Sequence, residues 1–397
     1  MLATSRLDLA DPGFIADPYP ALAALRAQAD LAWHEPTGRW LATTHAAVGA
    51  TLRHRSLGRI WSDLEPAERF EPFSALHRNQ MMENEPPAHT RLRRLVAGAF
   101  ARGHVERLRP RVQELATDLL DRVSGDDVDV LAAYAEPLPV AVIAELLGVP
   151  ASDRGQLRDW SQRIVAMYEH GRTLEVEQAA ITASEEFSGY VRALVTARQG
   201  DLGDDLVSDL IRARDGDGRL SSDELVASVV LLLNAGHEAS VNVFGNGLVA
   251  LLRHPGQLRR VVSGEVPVEV ALEEMIRFDA PLQLFERTAT AEVEVAGVEV
   301  AAGQKVAALM GSANRDAAVF PDADGFDAGR EPNPHVGFGM GLHFCLGAPL
   351  ARMELAVSVA ELLRRFPRLA LAEEPEQRPT FVLRGYRTIR LDLRGAA

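Results

Sequence analysis

The chain is nearly without cysteine and lysine: Cys345 and Lys305 are the only residues of their types among 397. One cysteine excludes an internal disulfide framework. Together with scattered histidines it also falls short of the ligand set of a structural zinc site. No apolar run reaches the roughly 18 residues that a membrane span requires. Met1 to Gly13 carries Asp8 and Asp11 but no apolar core segment, so it does not resemble a secretory signal. A soluble, cytoplasmic protein is the expectation. Positive charge is in deficit too, with 42 basic against 56 acidic residues and a formal charge of −14, which disfavours nonspecific nucleic-acid binding. Internal repeats, low-complexity tracts and disordered spacers are missing, so residues 1–397 read as one large domain.

What the chain has is helical periodicity. At 47% hydrophobic residues it can fill a core. Apolar residues recur at three- and four-residue spacing around 105–123, 137–148, 156–168, 174–197 and 223–253, bounded by Gly, Pro or Asp. Strands are few. Leu31 to Thr44 reads as a hairpin across Pro36-Thr37-Gly38. Val293, Val295, Val298 and Val300 alternate around Gly297, and Tyr386 to Leu393 closes the set. The fold class is therefore mainly α with small peripheral sheets. Its longest helix starts at a Ser221/Glu224 capping box and runs to about Arg253. Gly236 and Glu238 within it predict a local opening of the hydrogen-bond ladder.

Two motifs are decoys. Asp215-Gly216-Asp217-Gly218 imitates a calcium loop, but the first ligand position falls on Ala213. Gly245-Asn246-Gly247 imitates a dinucleotide fingerprint, yet it sits inside the long helix, where glycines serve close packing.

Phe338-Gly339-Met340-Gly341-Leu342-His343-Phe344-Cys345-Leu346-Gly347 is different. Its glycines permit tight turns against a flat ligand, with Phe338 available to cover the sulfur. A helix begins after it with Pro349 in the first turn, which brings unpaired amides toward the sulfur and favours thiolate. A lone cysteine is ordinarily a small buried hydrophobe. The spacing Phe-x-x-Gly-x-x-x-Cys-x-Gly, however, resembles the haem-binding loop of the cytochrome P450 monooxygenases, in which thiolate ligates iron.

The resemblance covers nearly the whole chain and implies a helical bundle enclosing haem b (iron protoporphyrin IX). It makes Cys345 the metal ligand in a loop shaped by Phe338, Gly339 and Gly347. Glu274 and Arg277 match the Glu-x-x-Arg signature, completed by Arg330, as a structural network behind the loop. His89 and Arg93, four apart on one helical face, match propionate contacts, as do Arg287 and His343; Arg287 pairing with Glu286 is the alternative. The soluble bacterial type implies an acidic ferredoxin and its reductase as electron source, docking on a proximal face around Arg91, Arg94 and Arg352. The local stretch Arg91, Arg93, Arg94, Arg102, Arg107 and Arg109 reads either as that surface or as a solvated helix face.

One departure stands out. Where the family usually has an acid followed by threonine, this chain has Glu238, Ala239 and Ser240. Glu238 can relay protons through water. Ser240, ordered water or a substrate hydroxyl must supply the missing alcohol, an exchange similar to that of the family's macrolide-precursor hydroxylases. The expected substrate is a medium-sized hydrophobic molecule, oxygenated as polyketides and terpenoids are, in a pocket built from 57–84, 160–177, 232–240, 282–285 and 381–382. A peroxide-driven peroxygenase and a haem-binding sensor without turnover are the rival readings.

Overall fold

The computed structural model describes residues 3–100, 102–169, 172–214 and 220–395. The calcium-like turn at Asp215 to Gly218 and the Arg102 side chain lie outside the described residues.

Helices occupy the expected stretches at Arg102–Asp121, Pro137–Leu147, Arg154–Val165, Leu174–Arg198 and Ser222–Arg253. The Ser222–Arg253 helix is the axis around which the others pack. Ser221 accepts the Glu224 amide at 3.0 Å while the Glu224 carboxylate accepts the Ser221 amide at 2.8 Å, so two of the helix's free N–H groups are satisfied reciprocally. By length and hydropathy this helix could cross a membrane, contrary to the sequence expectation, but 83% of its apolar window is buried inside the protein. It is a core helix.

The expected opening at Gly236 is not there: the helix continues unbroken. A Cβ on Gly236 would stand 3.3 Å from Ile143, so this glycine admits the Pro137–Leu147 helix. Gly247 likewise admits Met275, whose Cβ would lie 2.5 Å from an added methyl, as expected for packing glycines. Close packing of this kind is where a helix tolerates glycine at a cost of about 1 kcal/mol.

A six-stranded sheet flanks the bundle in the order Thr4–Ser5, Leu31–His34, Arg39–Ala42, Lys305–Leu309, Leu284–Ala289, Leu57–Gly58. The predicted hairpin pairs Trp33 with Trp40, their rings 5.1 Å apart edge to face. Lys305–Leu309 then joins it in parallel and Leu284–Ala289 antiparallel, which sets Phe285 and Arg287 beside the interior of the bundle.

Candidate haem site

The long helix has one bare stretch. From Leu225 to Leu251 every residue is buried except Ala235, Gly236 and Ala239. Ala235 and Ala239, one turn apart, thus form the exposed wall of an internal space. Ser240 is buried, because one residue turns the helix by about 100° and carries it off the face Ala239 shares with Ala235. Of Glu238, Ala239 and Ser240, only Ala239 stands in that wall; Glu238 and Ser240 are each 6% exposed.

The cysteine loop is closed by the Cys345 amide, which donates to the Phe338 carbonyl at 2.9 Å. Gly339 and Gly341 both have φ of 70°, and a Cβ on Gly341 would meet the Leu52 carbonyl oxygen at 2.6 Å, so only glycine fits there. Burial raises the Cys345 thiol pKa. The Gly347 and Ala348 amides and the charges of Arg93 and Arg352 act the other way, as the sequence suggested, but do not outweigh it. A coordinated metal cation would supply the remaining stabilisation by deprotonating the thiol outright.

Four residues gather beside the loop. His89 is 1% exposed, neither ring nitrogen has a hydrogen-bond partner among the described residues, and its ring lies 4.5 Å from that of His343. Burial, and then the charges of His343 and Arg93, depress its pKa to about 4. Arg93 Nη2 donates to the Phe344 carbonyl at 2.8 Å. Arg287 is 2% exposed and stacked on Phe285 at 4.7 Å. Among the described residues no carboxylate bonds it, since Glu286 turns to Arg39 at 2.6 Å and Lys305 at 3.6 Å, so the Arg287–Glu286 alternative fails. Burial, with the Arg59 charge, lowers the Arg287 pKa to about 10. His343 Nε2 is 2.7 Å from Glu85 Oε1, a partner the sequence reading missed. The orphaned His89 imidazole, with Arg93 and Arg287 bonded among the described residues only to backbone carbonyls, beside the half-buried Cys345, fits a flat apolar cofactor that carries carboxylates.

Behind the loop, Glu274 and Arg277 are fully buried. Arg277 donates to both Glu274 oxygens at 2.7 Å and to the carbonyls of Asn314, Ala323 and Gly325. Arg330 Nε adds contacts to Glu274 at 3.1 and 3.2 Å, and Asn333 and the Asp327 amide complete the set.

On the opposite side Glu238, 6% exposed, is not alone: Arg378 Nη1 lies 3.3 Å from Oε2, and His237 Nδ1 lies 3.8 Å from Oε1. Neither partner was named from sequence, and Arg378 is too distant along the chain to signal itself. Of the predicted pocket segments, 57–84 and 160–177 meet, and Leu383, one residue beyond 381–382, joins them. Tyr168 donates to His77 Nε2 at 2.9 Å, and Glu169 accepts the Leu383 amide at 3.1 Å. An open cleft of about 440 Å³ along Arg59, Ile60, Trp61 and Arg78 leads to Glu85. On the outer surface Arg94 is exposed, whereas Arg91 is paired with Glu224 and Arg352 with Glu273, so two of the three arginines expected to face a donor are already engaged.

A helical bundle with a long core helix bared at one stretch, a glycine-rich cysteine loop and a cluster of buried histidine and arginine side chains beside that loop fits a haem enzyme. Residues 268–387 match the family model described as Cytochrome P450. The chain is 39% identical to the cytochrome P450 monooxygenase PikC of Streptomyces venezuelae, covering 96% of this chain and 93% of that protein. It is also 39% identical to 6-deoxyerythronolide B hydroxylase of Saccharopolyspora erythraea, over 97% and 98% of the two chains. The solved structure of P450BioI in complex with an acyl carrier protein ligated to hexadec-9Z-enoic acid superposes with a TM-score of 0.92 at 31% identity, covering 96% and 99%. The chain belongs to the cytochrome P450 family and is a haem-dependent monooxygenase.

Proposed function

We propose that this protein hydroxylates a medium-sized, largely hydrophobic molecule of polyketide or terpenoid type that carries its own hydroxyl group, using electrons from an acidic ferredoxin and its reductase. One observation carries the reading: beside Glu238 the cavity wall is the methyl of Ala239, with no side-chain alcohol on that face. A name such as 6-deoxyerythronolide B hydroxylase supports the polyketide class.

In this reading the whole chain works as one cytoplasmic haem domain. Cys345 holds the haem iron, with Phe338, Gly339 and Gly347 shaping the loop around it. His89, Arg93, Arg287 and His343 would hold the two propionates, with His343 steadied by Glu85. When bound, haem supplies the binding and reduction of dioxygen and the insertion of one oxygen atom into a C–H bond. The chain's own part is to exclude water and to deliver protons. Glu238, steadied by Arg378, passes protons at its carboxylate oxygens to ordered water; that water, or the substrate hydroxyl in the space left by Ala239, completes the relay. Of the docking arginines, Arg94 is the one left open to a donor.

The test is substrate-dependent NAD(P)H consumption with a surrogate ferredoxin and reductase, with product identified by mass. Hydroxylation of hydroxyl-bearing macrolactones in preference to their deoxy analogues is the expected result. Turnover with peroxide alone would replace it with a peroxygenase, and none under either regime with a sensor.

A further inference from the structure

The Val268–Phe278 helix carries two consecutive carboxylates with different destinations. Glu274 enters the buried arginine network. Glu273 faces the cysteine loop: its Oε1 accepts from Arg352 Nε at 2.7 Å, and its Oε2 accepts from Arg352 Nη2 at 2.8 Å and from His335 Nε2 at 2.8 Å. His335 Nδ1 accepts the Gly337 amide at 3.1 Å, which fixes the ring proton of the neutral imidazole on Nε2, toward Glu273. Burial raises the Glu273 pKa, but the hydrogen bonds from Arg352 and His335 outweigh it and hold the carboxyl at about 2. The carboxylate is thus a permanent anchor. It clamps the guanidinium with two parallel bonds, and so held, Arg352 lies over the Phe338 ring with Cζ 4.4 Å from its centroid. Phe338 in turn closes the loop on Cys345, whose amide donates to its carbonyl at 2.9 Å.

We propose that Arg352 and Glu273 are positioning residues that set how readily the haem iron held at Cys345 accepts an electron. Arg352 contributes a positive charge held over the Phe338 ring, and Glu273 fixes it there while offsetting part of that charge. The proposal rests on the haem-thiolate reading above. Reduction adds one negative charge, so a nearby fixed cation favours the reduced state and a nearby anion opposes it. A purely structural role would give no such opposition of sign.

The experiment is a spectroelectrochemical titration of the holoenzyme without any donor protein, on Arg352→Met, Arg352→Lys, Glu273→Gln and the double variant Arg352→Met/Glu273→Gln. At the wild-type midpoint, Arg352→Met is expected to lower the ferrous-to-ferric ratio about tenfold, a shift of about 59 mV for one electron. Glu273→Gln is expected to raise it severalfold. Arg352→Lys, which keeps the charge, and the double variant should stay within about threefold of wild type. Shifts of the same sign in Arg352→Met and Glu273→Gln, or ratios unmoved within twofold, overturn the proposal. Should Arg352→Met fail to load haem, the direction of the Glu273→Gln shift decides alone. The reduced carbonyl spectrum of each sample keeps the readings apart: a wild type without the thiolate-ligated band removes the underlying assignment, whereas an intact band with unmoved potentials removes only this inference.

Discussion

Replacing Arg277 by alanine should cost the protein its haem before it costs it its helices. The guanidinium makes five bonds, two to Glu274 and one each to the carbonyls of Asn314, Ala323 and Gly325. With alanine there, Glu274 keeps Arg330, and Gly325 keeps the Arg330 Nη2 donor at 3.2 Å. The Asn314 and Ala323 carbonyls lose their Arg277 donor, at about 1–3 kcal/mol each. That sum agrees with the ~3–5 kcal/mol for breaking a buried ion pair. Against a net stability of ~5–15 kcal/mol little margin is left. Arg277→Lys keeps the charge but offers three donors without the planar fork, so it should fall between. Glu274→Ala should be worse than either, since it leaves two buried guanidinium groups uncompensated. The assay is the haem-to-protein absorbance ratio of purified protein together with its thermal midpoint. An Arg277→Ala protein with full haem content and an unchanged midpoint, or one less stable than Glu274→Ala, would refute the reasoning.

Installing threonine at Ala239 should raise product formed per NAD(P)H consumed for substrates lacking a hydroxyl; an unchanged ratio counts against substrate-assisted proton delivery. Glu238→Gln should slow turnover by roughly 10²-fold and enlarge the solvent isotope effect, and a rate within twofold of wild type would remove Glu238 from the relay. His89→Leu should release haem faster to an apo-globin acceptor, because a buried donor to a carboxylate is lost; equal release rates would dissociate His89 from the propionates. His77 is held neutral, its pKa lowered from 6.5 to about 4 by burial, with Nδ1 donating to the Phe73 carbonyl and Nε2 accepting from Tyr168. The unfolded chain therefore binds the proton first, and the His77 contribution falls away as pH drops from about 6.5 to 4, by up to about 3 kcal/mol. Denaturant titrations of wild type and His77→Gln at pH 7 and 4.5 should converge at the lower pH, and parallel curves would contradict the assignment.

Motifs with local grammar were legible in the sequence. The Ser221/Glu224 box and the Trp33–Trp40 hairpin follow from spacing that dictates geometry, whereas the buried pairing of Glu274 with Arg277 and Arg330 was legible only through the family resemblance. Long-range electrostatics were not. Nothing near Glu238 announces Arg378, 140 positions away, and nothing near His343 announces Glu85. Gly236 misled for a related reason: glycine inside a helix signals either a weakened ladder or a close neighbour, and only the tertiary partner, Ile143, decides between them. Arg91 and Arg352 misled too, since a charge list cannot tell a cation facing solvent from one already matched by Glu224 or Glu273.

The wall formed by Ala235 and Ala239 bears on the enzyme's durability. An oxidising centre attacks whatever C–H bonds or sulfurs it can reach when the guest is badly seated, and methyls bonded to a helical backbone are strong, short and hard to bring into line. Filling either position with a longer side chain would narrow the chamber and also place an oxidisable group within range, so size-selective redesign at these two sites trades selectivity against the number of cycles the catalyst survives.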